Sequence, residues 1–156
     1  MTTRLGETAN LALDPGFGSA IGRGLGAIAL YAVAGLLLII IGFYAIDWTT
    51  PGKLSELVRD GAPNAVVITS AGLLSMAFII VVAIFNSAGR LADGLLSALI
   101  FGLAGIIAQV LAVRVLEWVT GLDVGALIRS ERFAPASAVV AAAHLALGLV
   151  VAVAIS

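Results

Sequence analysis

Two stretches of this chain recur seventy positions further on. GLGAIALYAVAG, beginning at Gly24, returns as GLLSALIFGLAG at Gly94, and IDWTTPGKLSELVR from Ile46 returns as LEWVTGLDVGALIR from Leu116. A duplicated chain folds as two similar units, so the apolar runs of one copy share the fate of those in the other. Each copy holds two such runs. They lie at Gly24 to Ile46, Asn64 to Phe85, Gly94 to Trp118 and Ala134 to Ile155, each meeting the roughly 20 residues needed to cross a hydrocarbon core about 30 Å thick. The chain is 62% hydrophobic and 11% charged, with mean hydropathy +1.18 over 156 residues. That leaves too little polar surface for a water-soluble domain of this size. The first run exceeds the apolar core of a signal peptide and is followed by Asp47-Trp48-Thr49-Thr50-Pro51 instead of a small-residue cleavage site. It reads as a retained span.

The repeat also fixes an expected topology. Two spans per unit bring the second copy into the bilayer from the same side as the first, so the halves are related by an axis along the membrane normal. Trp48 and Trp118 end spans one and three at equivalent positions, where an amphipathic indole favours the interface. Pro63 and Pro135 open spans two and four, and proline suits a first helical turn. Lys53, Arg59, Arg114, Arg129 and Arg132 gather near the loops after spans one and three, against Arg4, Arg23 and Arg90 on the other side. The excess of cations places the repeated loops inside and both termini outside. In those loops Leu54, Leu57 and Val58, and again Val124, Leu127 and Ile128, have helical spacing beside charged residues. Each predicts a short amphipathic helix on the membrane surface.

Several chemistries are excluded by what the chain lacks. A formal net charge of -1 with scattered arginines offers no polybasic tract for nucleic acid. The absence of cysteine removes disulfides, thiolate nucleophiles, iron-sulfur clusters and thiolate zinc sites, and a single histidine rules out a His-rich metal centre. No cofactor is implied, no metal-binding set is visible and no catalytic residue is assigned.

The candidate functional residues are therefore the few polar groups in or beside the spans. His144 falls near the middle of span four, where an ionisable group is costly and marks a functional candidate. Ser137, Ala141 and Gly148 share its helical face and leave space beside the imidazole. Two readings stand: a proton relay or ligand site, and a neutral ring hydrogen-bonded to a neighbouring helix. Asp47, Arg114 and Glu117 form a second group, because Asp47 aligns with Glu117 across the repeat and an Asp47 to Arg114 contact joins spans one and three if the copies pack about their axis. Arg114 can instead meet Glu117 one turn on, or snorkel to the headgroups. Gln109 lies deeper in span three, and Thr69, Ser70 and Ser75 occupy span two. Such side chains bond across helices or back to their own carbonyls. Alanines at 104, 108 and 112, and at 134, 138, 142 and 146, form stripes that permit close helix approach. They suggest a homo-oligomer.

The combination of Asp47, Thr50, Pro51, Gly52, Lys53 and Leu54 with Pro63, Asn64 and Ala65 resembles the bacterial membrane proteins grouped as Domain of Unknown Function 350. The resemblance runs from Gly24 to Ser156. The second copy departs from the pattern, with Gly121, Leu122 and Asp123 in place of Pro51, Gly52 and Lys53, and Ala136 or Ser137 where Asn64 would be expected. The resemblance implies a four-span protein of the bacterial inner membrane, related to membrane-stress and polyamine-related systems, and supplies no catalytic residues.

The sequence thus predicts an all-α integral membrane four-helix bundle built from two same-orientation hairpin repeats. Residues 1–23 form a mobile or interfacial tail, 24–93 the first hairpin and 94–156 the second. The expected partners are the lipid bilayer, further copies of the chain and a peripheral membrane-stress protein. The expected role is that of a non-enzymatic membrane component, and the alternative is a small channel or transporter for protons, cations or polyamines.

Overall fold

The computed structural model describes residues 16–49, 53–87 and 90–156. They form six helices and, among the described residues, no strand: α1 (Phe17–Thr49), α2 (Leu54–Arg59), α3 (Pro63–Phe85), α4 (Leu91–Thr120), α5 (Val124–Arg129) and α6 (Ala136–Ala154). The four longest, α1, α3, α4 and α6, are long and apolar enough to cross a membrane. The described residues are therefore all-helical, as expected, with four membrane-capable helices. Residues 1–15 of the expected tail, and Thr50, Pro51 and Gly52 of the loop motif, lie outside the described residues.

Helix boundaries differ from the hydropathy limits. α1 begins at Phe17, ahead of the expected Gly24, and runs through Arg23. A single arginine does not stop a helix, since its backbone stays hydrogen-bonded while its long stem carries the charge toward water. Gly121, with φ of 70°, ends α4 in the left-handed conformation that glycine adopts without strain.

The chain divides into two compact units, residues 1–33 and 34–156. In the first, Phe17, Ile21, Leu25 and Ile28 of α1 are exposed, as the side chains of a lipid-facing helix are. In the second, α3 is the central element. Ala65, Ile68, Ala71, Met76, Ile79, Ile80 and Ala83 along it are all buried. α3 and α6 make contact at three successive levels, Asn64 with Ala134, Ser75 with His144 and Asn86 with Ile155. The two helices therefore run side by side in the same direction.

Missing side chains allow this packing. A Cβ on Gly148 of α6 would sit 2.0 Å from Ser75 Oγ and 2.9 Å from its Cα, so the two backbones approach only because position 148 is glycine. On α4, Gly102 receives Leu38 and Gly105 receives Ile79, with would-be Cβ contacts of 2.8 and 2.7 Å.

The short helices α2 and α5 form where expected but use their apolar faces differently. Leu54, Val124 and Ile128 are buried in one cluster with Ala65, Ile68 and Val140, near the starts of α3 and α6. Their apolar sides thus close one end of the bundle, leaving Lys53, Glu56, Arg59 and Arg129 exposed. Packing against protein removes that apolar surface from water without drawing the segment into lipid.

Candidate functional site

Three helices meet at a buried polar cluster. Ser75 of α3, Gln109 of α4 and His144 of α6 are each no more than 2% exposed. Ser75 Oγ donates to the carbonyl oxygen of His144 at 2.7 Å and accepts from Gln109 Nε2. Gln109 Nε2 also approaches the His144 carbonyl at 3.4 Å, and Gln109 Oε1 meets His144 Nδ1. The sequence candidates His144 and Gln109 are thus brought together, with Ser75 as the third member. Glycine at 148 does not make room for the imidazole, as the shared helical face had suggested. It makes room for Ser75. The imidazole itself passes Gly72, whose would-be Cβ lies 3.9 Å from His144 Nδ1.

The amide orientation of Gln109 decides the tautomer. An amide's oxygen and nitrogen are exchangeable in assignment, but flipping it would set Oε1 against the His144 carbonyl oxygen, acceptor facing acceptor. With Nε2 on that side, Oε1 faces Nδ1, so Nδ1 carries the hydrogen and Nε2 holds a lone pair. His144 Nε2 is buried without a hydrogen-bond partner, and so is Thr69 Oγ1 on α3. Buried polar atoms are normally paired, and an exception calls for a reason.

A second polar contact holds the loop end of the bundle. Asn64 is fully buried. Its Nδ2 donates to Ser130 O at 3.1 Å and Arg132 O at 2.8 Å, and its Oδ1 accepts from Ala134 N at 2.9 Å. One side chain on α3 therefore pairs with three backbone groups of the α5–α6 connection. Sequence reasoning did not assign it this role, and the available signal was its place in the Pro63-Asn64-Ala65 motif. Nearby, Ser137 is buried and donates to Ala134 O at 2.8 Å.

The charged candidates sit at helix ends and are engaged with backbone and with each other. Asp47 Oδ1 accepts from Leu54 N at 2.5 Å, and Glu117 Oε1 accepts from Val124 N at 3.2 Å. Each acid thus caps the short helix seven residues downstream, where a carboxylate satisfies an orphan N–H and favours the positive helix end. Lys53 supplies no side-chain cap to α2, whereas Asp123 adds one to α5 by accepting from Ala126 N at 2.8 Å. Arg114 bonds Glu117 at 2.8 Å, one turn along α4. Lys53 pairs with Glu56 at 2.9 Å; that bond holds the Glu56 carboxyl below its usual range and raises the Lys53 ammonium above its own.

No group of three or more His, Asp or Glu residues that could hold a metal occurs among the described residues. A groove of 320 Å³ lined by Ile39, Ile40, Phe43, Tyr44 and Leu73 is apolar apart from one phenol. It lacks the convergent polar groups of a substrate site.

The family model described as Domain of Unknown Function (DUF350) matches residues 20–155. A UPF0719 transmembrane protein of Mycolicibacterium paratuberculosis is 36% identical over 135 residues, covering 86% of this chain and 89% of that protein. UPF0719 transmembrane proteins of Mycobacterium bovis and Mycobacterium tuberculosis are 35% identical over 81 residues, 51% of this chain and 53% of each of theirs. No solved structure matches.

Proposed function

Starting from a chain that belongs to the Domain of Unknown Function 350 family and spans the membrane several times, we propose that it is a non-enzymatic, self-associating component of the bacterial inner membrane. The carrying observation is the outward alanine stripe of α6. Ala138, Ala142 and Ala146 recur one turn apart and are exposed, so they are not used in packing within the bundle. In lipid, apolar burial gives helices no drive to associate, and small residues favour association by letting backbones approach closely. Two hairpin repeats related by an axis along the membrane normal belong to this reading; they are supported by the common direction of α3 and α6 and by the matching caps of Asp47 and Glu117.

The loop end is the docking face for a peripheral protein of a membrane-stress or polyamine-related system, as the family resemblance implies. Support comes from the exposed charges of Lys53, Glu56, Arg59, Asp60, Arg129, Glu131 and Arg132 around the buried faces of α2 and α5. By the positive-inside argument this face is cytoplasmic and both termini are outside.

Because the chain has no cysteine, Ala142→Cys provides a unique thiol. Oxidation in native membranes should convert most of the protein to a disulfide-linked dimer, whereas the same thiol at buried Ala141 should not. Monomer alone from Ala142→Cys, with crosslinking elsewhere on the surface also negative, would overturn self-association.

A further inference from the structure

We propose that His144 is a proton-binding site within the membrane, reached from the face that carries α2 and α5 and closed toward the opposite face. This goes beyond the self-association reading and does not depend on it. Three observations join here. The first is the unpartnered, buried Nε2, which the Gln109 orientation leaves as a lone pair. It is an acceptor without a donor. The second is Thr69 Oγ1, also buried and unpartnered. Thr69 lies one turn before Gly72, the position past which the imidazole runs, so a hydroxyl that can donate or accept stands one turn away on the facing helix.

The third observation is the distribution of polar groups along the bundle. On the loop side of His144, α3 and α6 carry buried polar residues at intervals, Asn64 and Thr69 on α3 and Ser137 on α6, interspersed with the buried apolar Ala65, Ile68 and Val140. On the other side, α3 from Met76 to Phe85 and α6 from Leu145 to Ala154 carry no polar side chain, and α4 carries two between its start and Gln109, Asp93 in its first turn and Ser97 one turn on. Buried Ile79, Ile80, Ala83 and Ala152 fill this half. At 1.5 Å per residue, the stretch of α3 from Met76 to Phe85 is about 15 Å of apolar barrier. Between His144 and the far ends of α3 and α6 these two helices offer no hydrogen-bonding side chain, whereas toward the loop end they do.

The groups facing the ring are Ser75 on α3 and Gln109 on α4, beside Gly72 and, near it, Ile46 of α1; none is titratable. The charged residues of the elements packed around it are at helix ends: Asp47 and Arg23 on α1, Asp93, Arg114 and Glu117 on α4, with none on α3 or α6. No fixed counter-ion holds the ring charged, so its state answers to the proton supply. The step is protonation alone. Nε2 takes a proton from hydronium on the loop side, leaving neutral water, Nδ1–H stays on Gln109 Oε1, and Thr69 Oγ1 becomes available to accept from the new Nε2–H, directly or through one water.

The chain's single histidine makes the test specific, because protein labelled with ¹⁵N-histidine gives one imidazole pair in a magnetic-resonance spectrum. Native protein is placed in vesicles with all chains in one orientation, set by capture through a C-terminal tag, and the two faces are buffered independently. Expected are an Nδ1–H neutral ring at neutral pH and conversion to imidazolium when the α2/α5 face alone is acidified. A ring that carries its hydrogen on Nε2, that follows the opposite face or both, or that stays neutral at every pH at which the chain remains folded would overturn the proposal. Thr69→Val, which keeps shape and leaves the Gln109 contact untouched, should slow exchange of the ring proton with deuterated water severalfold without changing the tautomer. Unaltered exchange would remove Thr69 from the path and with it access from the α2/α5 face.

Discussion

Two buried polar sites on α3 solve the same problem with different completeness. At the loop end Asn64 meets three backbone groups, with both amide hydrogens donated and its oxygen accepting, so neither atom is left without a partner. Deeper in the span, Ser75, Gln109 and His144 satisfy one another but leave His144 Nε2 over. The loop site behaves as a structural clasp, since a fully paired polar group rigidifies what it joins. The deeper site has spare capacity, which a purely structural lock would not need. Position strengthens the contrast: an interfacial group can fall back on water, while one among hydrocarbon cannot.

The comparison breaks first at Gly148. Gly148→Val would drive side-chain atoms into Ser75, including its backbone, and separate α3 from α6 at the deeper site. The expected loss is about 3 kcal/mol or more, at the upper end of overpacking effects. Unfolding in mixed detergent micelles measures it, and an unchanged midpoint would refute the close approach.

Asn64→Ala should follow. It strands the Ala134 N–H and the Ser130 and Arg132 carbonyls at the loop end, where water can replace part of the lost bonding, so the expected loss is about 1–3 kcal/mol in all. Asn64→Asp should rescue nothing, because a carboxylate would face two carbonyl oxygens. Recovery of native stability by aspartate would show that the clasp does not depend on its two donated bonds.

Gln109→Leu is expected to be milder, about 0.6–1.7 kcal/mol, the range of interhelical hydrogen bonds in bilayers. Its sharper effect is on the tautomer: without Oε1 to accept from Nδ1, the imidazole should populate both neutral forms. A ¹⁵N spectrum still showing Nδ1–H alone would mean another group sets the ring.

The smallest effect belongs to the exposed Lys53–Glu56 pair. Glu56 is held below its ordinary value, so its contribution is present above the unfolded carboxyl value and fades as pH falls through the lowered one. Lys53 is raised, so its share is present below the unfolded ammonium value and is lost as pH climbs through the raised one. Between those limits stability should be flat with pH, and Glu56→Gln should leave the thermal midpoint unchanged within error. A clear slope at neutral pH would point to a titrating group elsewhere, with His144 the first to examine.

Four apolar runs and turn residues between them were enough to read the helices, because in lipid a backbone must bond to itself and only helices of this length do so within one segment. The short helices were equally legible from their spacing. Their orientation was not: the apolar faces of Leu54, Val124 and Ile128 could meet lipid or protein, and periodicity is the same in both cases. His144 and Gln109 stood out by their cost in a span, yet nothing in the sequence paired them. Thirty-five positions apart and on different helices, they meet only because α4 and α6 both pack against α3. Asn64 was visible as part of a motif, but its partners are backbone groups, which no side-chain pattern encodes.

The sequence by itself therefore determined the medium, the number of spans and which polar residues had to be accounted for, since these depend on transfer free energies that each residue carries wherever it sits. Only the tertiary structure decided which polar atoms are paired and which is left over. That outcome rests on contacts between segments distant in the chain, and on a glycine at 148 whose meaning appears only when Ser75 is seen to occupy the space it leaves.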